Sequence, residues 1–312
     1  MKVLVCPLNW GLGHATRCVP IVRNLMAEGH EPVVVADGYP LVFLQQEFPS
    51  LRFIEFSSYS VYYAAGKSQV SAMLFNFPNI LKGIVREHFW LKNLLQNEHF
   101  DQVISDNRFG MWSRRVHSVY ITHQLMVKMP TNLKFLEPIV HTIHKMFIRQ
   151  YNECWIPDRG NNGGLSGDLA HKYPLPFNAK FIGTLSRFQG LENIAPTMDY
   201  DVVAVISGVE PQRTLLEDSL LLKYKNRTEK TFIICGQPQA DAYKRNIGNI
   251  TLVPHLPDVE MAAALKGAAK IICRSGYSSI MDLEALKCLP KAELIPTPGQ
   301  TEQEYLAQIH SR

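Results

Sequence analysis

The feature that most constrains the fold is a regular alternation of short apolar runs with stretches of helical periodicity. The runs are rich in β-branched residues, and helical patterns separate most of them. This alternation is typical of βαβ units, which build parallel sheets. The predicted strands are VLVCPL (3–8), PVVVAD (32–37), LRFIEF (51–56), QVISD (102–106), SVYIT (118–122), CWIP (154–157), KFIGT (180–184), DVVAVIS (201–207), TFIIC (231–235), ITLVP (250–254) and KIIC (270–273).

The predicted strands fall into two groups, separated by a segment rich in Gly, Asn and Pro at 158–178. A chain of 312 residues is long enough for about two domains. We expect an α/β fold of two Rossmann-like, doubly wound domains facing a cleft: a first domain at 1–160, a linker at 161–184 and a second domain at 185–312. About 25 residues follow the helix predicted near 278–287, so the second domain is expected to be short, naturally or by truncation.

The composition indicates a globular protein, because hydrophobic residues make up 46% and charged residues 19% of the chain. No run of about 18 uninterrupted apolar residues occurs in the sequence, so no transmembrane helix is predicted. The N-terminal segment predicts a core strand and not a signal peptide. The six cysteines are scattered without a CxxC pair, which predicts reduced thiols in a cytoplasmic protein and no zinc site.

Charge is unevenly distributed along the chain. Residues 1–185 hold 18 Lys and Arg against 13 Asp and Glu, whereas 186–312 hold 14 against 15. Either the first half prefers an anionic partner, such as a phosphorylated substrate or acidic lipid, or the excess is ordinary variation. The aromatic and basic region 59–95 predicts either peripheral contact with an anionic membrane or ordinary helix packing. The sequence contains no recognised nucleic-acid-binding motif, so no nucleic acid partner is expected.

The first candidate for chemistry is the segment NWGLGHATR (9–17), between the first strand and its helix. Gly11 and Gly13 permit a tight turn, and a helix start favours a bound anion. The segment is not GxGxxG and lacks a Walker lysine, so neither a dinucleotide nor an ATP site is indicated. His14 is either a general base or a helix cap. Asp106, at the end of a predicted strand, is either a second candidate base or a loop cap.

The second candidate is the segment CRSGYSSIMDLEAL (273–286), again a strand, a turn and a helix. Its small polar residues form a potential anion cradle of N–H and hydroxyl donors. Asp282 is either a ligand for a ribose diol or an acid that favours the helix dipole, and Ser278 is alternatively an N-cap. The cradle residues are Arg274, Ser275, Gly276, Ser278 and Ser279.

Two weaker candidates follow the same strand, turn and helix pattern. In TPGQTEQEYLA (297–307), Gln303 and Glu304 lie at the start of a predicted helix, where such pairs are also common on solvated faces. In ISGVEPQR (206–213), Arg213 is either a phosphate ligand or a surface residue.

Together these segments resemble the GT-B glycosyltransferases of the family 28 type, which include the UDP-N-acetylglucosamine transferase of peptidoglycan synthesis. The resemblance runs from WGLGH to QTEQEYLA and is most specific in RSGYSSIMDLEAL. It implies that His14 faces the acceptor and the transferred sugar, and that Asp282 binds the donor ribose. It also implies donor contacts for the diphosphate, the uracil and the sugar, at Ser207, Gly208, Leu256, Ser278, Ser279, Gln303 and Glu304.

The sequence departs from that family at several of these positions. Asp282 is one methylene shorter than the family's Glu, and Glu304 replaces a neutral amide with a charge. Thr301 stands where an Asp often precedes the amide pair, and Asn9 and Trp10 stand where small residues are usual. These departures indicate a relative of the peptidoglycan enzyme with its own sugar and acceptor.

The resemblance implies an inverting, metal-independent glycosyltransferase without a cofactor. It is expected to move a sugar, N-acetylglucosamine in the first instance, from a UDP-sugar to a glycan or lipid-linked acceptor. Two alternatives remain open. A non-hydrolysing sugar-nucleotide epimerase shares the fold and needs extra acidic residues around the sugar. A non-catalytic GT-B-like subunit would bind nucleotide weakly or not at all.

Overall fold

The computed structural model describes residues 1–57, 69–238 and 241–311, with only the backbone described for 69–75. Seven strands form a first sheet in the order β3-β2-β1-β4-β5-β6-β7, and every neighbouring pair is parallel. They are β1 (Lys2–Pro7), β2 (Glu31–Ala36), β3 (Arg52–Glu55), β4 (Gln102–Asp106), β5 (His117–Ile121), β6 (Glu153–Ile156) and β7 (Ala179–Phe181).

Helices cover both faces of this sheet. In β1, Val3 and Val5 join an apolar cluster with α1, whereas Leu4 and Cys6 join another cluster with Leu91 of α3. This alternation follows from the two-residue period of a strand and explains why β1 is apolar throughout. The helices are α1 (Gly13–Ala27), α2 (Gly38–Glu47), α3 (Gln69–Asn97), α4 (Glu137–Ile148), preceded by a 3-10 helix at Thr131–Leu136, and the short α5 (Asp168–His171).

The second sheet has six strands in the order β10-β11-β9-β8-β12-β13. Only the edge strand β10 is antiparallel to its neighbour among these described strands. The strands are β8 (Val202–Val205), β9 (Thr231–Ile234), β10 (Arg245–Ile247), β11 (Ile250–Val253), β12 (Lys270–Arg274) and β13 (Ala292–Ile295). The helices are α6 (Gln212–Tyr224), α7 (Asp258–Gly267), α8 (Tyr277–Ala285) and α9 (Thr301–His310), with a 3-10 turn at Leu289–Lys291.

This architecture confirms the predicted fold of two Rossmann-like α/β domains. The boundaries differ in detail, because β7 lies within the predicted linker 161–184 and pairs with β6 of the first sheet. The final 25 residues supply β13 and α9, of which the sequence predicted only the helix. The polar and aromatic segment SSYSVYYAAGK (57–67) predicts a loop, and it lies almost entirely outside the described residues.

A proline at position 78 predicts a kink or a split in this helical stretch. The split is not found, because α3 is continuous from Gln69 to Asn97. A proline removes one backbone hydrogen bond, and a helix of 29 residues retains many others on either side. Across the described ranges, no helix combines the length and apolarity that crossing a membrane requires.

Candidate functional site

A cavity of about 260 Å³ lies between the two domains, where the carboxyl ends of strands from both sheets meet. The first domain lines it with the turn before α1, with Asn107 after β4, and with the segment after β5. The second domain contributes the turn after β8 and the starts of α8 and α9. Of the residues predicted from sequence, ten line this cavity: Gly11, Gly13, His14, Ser207, Gly208, Gly276, Ser278, Ser279, Asp282 and Gln303.

The starts of α1 and α8 approach each other at this cavity. Gly11 has a φ of +76°, a conformation that glycine adopts without strain. A Cβ atom added to Gly13 would lie 3.0 Å from the Ser278 hydroxyl, which itself donates to the Gly13 carbonyl at 2.8 Å. Neither of these two described helices carries an acidic residue in its first turn, so both N-termini favour an anion.

His14 lines the cavity and forms a hydrogen-bonded pair with Asp106, which is buried behind it. The His14 Nδ1 atom lies 2.8 Å from Asp106 Oδ1. The same Nδ1 atom lies 2.9 Å from Arg17 Nη2, which also donates to Asp106 Oδ1. The carboxylate only accepts hydrogen bonds and would repel a lone pair on Nδ1, whereas Arg17 already has an acceptor in that carboxylate, so we assign a proton to Nδ1. His14 Nε2 then carries the lone pair, and among the described residues it has no hydrogen-bond partner.

Asp106 is buried and is held by the guanidinium of Arg17, which is itself 1% exposed. Arg17 donates from Nε to Asp106 Oδ2 and from Nη2 to Asp106 Oδ1. Although burial opposes ionisation, Arg17 and His14 hold the pKa of the Asp106 carboxyl at about 2. Burial, aided by the charge of Arg17, lowers the pKa of His14 against the opposing pull of Asp106. His14 is therefore a neutral imidazole near pH 7, with a free nitrogen for a proton.

A second histidine, His123, lies on the same wall and was not singled out from the sequence. Its Nδ1 accepts from Arg17 Nη1 at 3.0 Å, and its Nε2 lies 2.8 Å from Glu302 Oε1 on α9. The imidazole stacks on the Tyr277 ring, with centroids 4.2 Å apart and planes 4° from parallel. His123 comes just after β5, and Asp106 is the last residue of β4, so both lie at the carboxyl edge of the first sheet. This position after a predicted strand is the feature of the sequence that could have identified His123.

The residues between β12 and the start of α8 fall into two groups: some hydrogen-bond within the second domain, and the others face the cavity. Ser275 is buried and donates to the Gln303 carbonyl at 2.8 Å. Arg274 donates to the carbonyls of Pro296 and Gln212, and it does not line the cavity. The cradle facing the cavity is therefore narrower than the sequence predicted: it consists of Gly276, Ser278 and Ser279.

Asp282 lies one turn further along α8 and faces a buried cation. It accepts from the Ser186 hydroxyl at 2.6 Å and lies 3.6 Å from Arg187 Nε. Burial raises the pKa of the Asp282 carboxyl to about 6, even though Arg187 and Ser186 favour its ionised form. Arg187 also lies 3.3 Å from Asp258 and lines the cavity, a position the sequence alone did not reveal.

Four other predicted ligands have different surroundings. The guanidinium of Arg213 bonds to Glu210 and Glu217, both at 2.6 Å, and lies outside the cavity lining. Glu304 accepts from the Gly299 N–H at 3.1 Å, and Leu256 packs against the core of the second domain. Gln303 lines the cavity, but its amide is occupied by Thr297 and Gln300. Ser207 and Gly208, the latter with a φ of +113°, do face the cavity.

The described ranges contain no group of three or more His, Cys, Asp or Glu side chains suited to hold a metal ion. The chemistry that the site itself offers is proton transfer at His14, with donors for an anion at two helix starts.

No family model and no curated protein matches the sequence. Solved structures do match it along its whole length. The kitacinnamycin glycotransferase is 14% identical with a TM-score of 0.59, and the match covers 100% of this chain and 91% of that one. The spinosyn rhamnosyltransferase SpnG, complexed with thymidine diphosphate, is 13% identical with a TM-score of 0.55, covering 99% and 90%.

A protein from Listeria monocytogenes reported as a UDP-N-acetylglucosamine 2-epimerase is similar to this chain to the same degree. It is 10% identical with a TM-score of 0.55, and the match covers 100% of this chain and 90% of that one. At such identities these similarities establish the fold alone, which is the GT-B fold.

Proposed function

We propose that this protein is a glycosyltransferase that moves a sugar from a nucleoside diphosphate donor to a hydroxyl acceptor. The observation that carries this proposal is the His14–Asp106 pair at the wall of a cavity between two Rossmann-like domains. The GT-B fold shared with glycosyltransferases supports it.

In this reaction His14 acts as the general base. Its Nε2 takes the proton of the acceptor hydroxyl as that oxygen attacks the anomeric carbon. The bond from this carbon to the diphosphate breaks, and attack from the opposite face inverts the configuration. Asp106 stabilises the imidazolium that forms and keeps the ring in the correct tautomer, as the carboxylate does in hydrolase triads.

The leaving diphosphate gains negative charge, and the starts of α1 and α8 are suited to stabilise it. Ser279, Ser207 and Gly208 line the same cavity and add hydroxyl and backbone donors. Asp282, when ionised, accepts from the ribose diol. The resemblance to the family 28 transferases favours UDP as the nucleotide and N-acetylglucosamine as the sugar.

Substitution of His14 tests the central step. We expect His14→Ala to lower transfer at least about 10²-fold, because a general base contributes about 10² to 10⁴. Binding of UDP, measured by calorimetry, is expected to remain within about twofold. His99→Ala is the control, since His99 is an exposed histidine with a side chain 83% exposed. Unchanged turnover in His14→Ala would remove His14 from the mechanism.

The second candidate is a sugar-nucleotide epimerase. His123 and Glu302 add an imidazole and a carboxylate to the cavity, which is the kind of addition that an epimerase requires. The shared fold of the Listeria protein supports this alternative. Incubation with UDP-N-acetylglucosamine alone separates the two reactions. An epimerase forms the 2-epimer without an acceptor, whereas a transferase releases UDP only when an acceptor is present.

We also propose that the first domain contacts an anionic membrane surface. Four exposed apolar residues follow one another at four-residue spacing along α3: Phe77, Leu81, Val85 and Phe89. A second exposed apolar stripe starts in the 3-10 helix and continues along α4: Phe135, Ile139, Ile143 and Met146. Lys82, Arg86 and Lys134 are exposed beside these stripes and complement anionic headgroups.

Vesicle sedimentation with the full chain tests this surface. We expect binding to vesicles of phosphatidylglycerol at low salt, and weaker binding at about 0.5 M salt because charges are then screened. Phe89→Glu with Phe135→Glu is expected to abolish binding. Leu222→Glu is the matched control, since Leu222 is 78% exposed on the second domain. Equal binding of both variants would refute the proposed surface.

We also propose a cytoplasmic location. The scattered, buried positions of the six cysteines support it, because buried thiols without a disulfide are typical of reducing compartments.

A further inference from the structure

We propose that His123 is a positioning residue, which couples the docking of the second domain to the orientation of the His14–Asp106 pair. This inference rests on the proposed function, because the orientation matters for proton transfer at His14. The coupling runs through Arg17, which contacts both histidines and Asp106.

The two ends of His123 face two different domains. Its Nδ1 faces Arg17 of α1, in the first domain, at 3.0 Å. Its Nε2 faces Glu302 of α9, in the second domain, at 2.8 Å. The flat face of the ring lies against Tyr277 of α8, also in the second domain. His123 is 6% exposed, so water does not readily replace these partners.

The partners fix the tautomer of His123. Arg17 only donates hydrogen bonds, so Nδ1 accepts, and the proton resides on Nε2 and is donated to Glu302. His14 has the opposite tautomer, with its proton on Nδ1 facing Asp106. Arg17 lies between the two rings: Nη1 donates to His123, Nη2 with Nε donates to Asp106, and Nη2 also lies 2.9 Å from His14 Nδ1.

The start of α9 is attached to the first domain beside His123. The Thr301 hydroxyl donates to the Lys128 carbonyl at 2.6 Å, and the Lys128 ammonium lies 3.9 Å from the centre of the Tyr305 ring. The Tyr277 hydroxyl donates to the Pro157 carbonyl at 2.9 Å. Separation of the domains would therefore take Glu302 and Tyr277 away from His123 together.

Loss of these partners frees His123 to turn, and Arg17 Nη1 then loses its acceptor inside a buried site. An unsatisfied buried donor is costly, so Arg17 is expected to shift toward another acceptor. Because Arg17 also sets the position of Asp106, the His14 ring loses its fixed orientation. The base is thus correctly placed only when the second domain is docked.

Two substitutions of His123 separate its two contacts. The amide of Asn reaches the position of Nδ1, and the amide of Gln reaches the position of Nε2. His123→Asn retains an acceptor for Arg17, whereas His123→Gln retains a donor for Glu302 and withdraws the acceptor. Glu302→Ala removes the contact from the second domain while leaving His123 in place.

The readout is the ¹⁵N NMR signal of His14 in protein labelled at histidine, which reports its tautomer without requiring activity. We expect His123→Gln and Glu302→Ala to shift this signal away from the Nδ1–H tautomer, and His123→Asn to restore most of it. His99→Asn and His99→Gln are the controls. The proposal is overturned if the His14 signal is the same in His123→Gln, Glu302→Ala and the unsubstituted protein.

Kinetics give the second readout. His123→Gln is expected to lower kcat about 10- to 100-fold, as a small misplacement of a catalytic group does, with the donor KM within about twofold. Equal kcat in His123→Gln and His123→Asn would contradict the coupling. Absence of transfer in the unsubstituted protein would instead refute the proposed function, and the NMR experiment would still decide on the positioning role.

Discussion

The two walls of the cavity are built from the same unit, a buried parallel strand followed by a glycine-containing turn and a helix. The start of α1 presents the imidazole of His14, which contacts two buried charges, Asp106 and Arg17. The start of α8 presents hydroxyls, and one of them, on Ser278, donates to the opposite wall at Gly13. The same backbone unit is thus suited to proton transfer on one side, while on the other it supports domain contact and is suited to bind an anion.

This difference shows that the fold determines where a ligand can lie, whereas the side chains around each turn determine what happens to it. Parallel strands bring both turns to one edge, and helix starts provide donors on both sides. Only the first turn has a neighbouring strand, β4, that ends in a buried carboxylate.

The largest effect is expected from removing the charge behind the first wall. Asp106→Ala leaves the guanidinium of Arg17 buried without a counterion, and the loss of one partner of such a pair costs about 3–5 kcal/mol. Urea denaturation followed by circular dichroism measures this loss. Asp168→Ala provides the comparison, since Asp168 pairs with Lys128 while 50% exposed and should contribute far less. Equal losses in the two variants would show that the Asp106 charge is not needed for stability.

A pH effect is expected at the second wall, where Asp282 has a pKa raised to about 6. The folded protein holds this proton more tightly than the unfolded chain does. The stability that Asp282 contributes is therefore present below about pH 4 and is lost as the pH rises through about 6, by up to about 3 kcal/mol. Asp282→Asn should flatten the stability profile between these values, as measured by thermal unfolding at each pH.

Nucleotide affinity is expected to rise with pH, whereas the stability that Asp282 contributes falls. The ionised carboxylate of Asp282 accepts hydrogen bonds from a ribose diol, so UDP should bind more tightly at pH 7.5 than at pH 5. Calorimetric titration at the two pH values measures this difference, and Asp282→Asn should abolish most of it. A difference that persists in Asp282→Asn would assign the pH dependence to another group.

The smallest effect is expected at the contact between the walls. Ser278→Ala removes one hydrogen bond to the Gly13 carbonyl and should cost about 1 kcal/mol of stability. UDP affinity measured alongside sharpens the comparison. If affinity is unchanged while stability falls, Ser278 only joins the domains. If affinity falls as well, the hydroxyl is shared with the diphosphate, and the two walls are less different than their contacts suggest.

Local patterns in the sequence were sufficient to predict most of the strands and both glycine turns. His14 and Asp106 were recognisable because Asp106 ends a strand and His14 lies after the turn that follows one, and the carboxyl ends of parallel strands share one edge. The helix α2 was missed, because its sequence GYPLVFLQQE has apolar residues without a clear helical period.

Contacts between residues that are far apart in the sequence could not be predicted from local patterns. Arg213 was predicted as a candidate phosphate ligand and Arg187 was not, yet the guanidinium of Arg213 is occupied by Glu210 and Glu217, three and four residues away in the chain. Arg187 faces the cavity because α7 and α8 bring Asp258 and Asp282 to it. The contact between His123 and Glu302 spans 179 residues of sequence, and no local period indicates it.

The placement of β7 affects how hybrid proteins should be made from this chain. With a junction near residue 160, β7 would come from the protein that supplies the second half, although β7 is an edge strand of the first sheet. The edge of β6 would then be exposed. A junction between 184 and 200 keeps each sheet whole. A hybrid must also preserve the surface formed by 123–128, because α9 contacts it through Thr301 and Glu302 in this chain. Whether two halves are compatible therefore depends on a few matched residues at this contact between the domains as much as on either sheet.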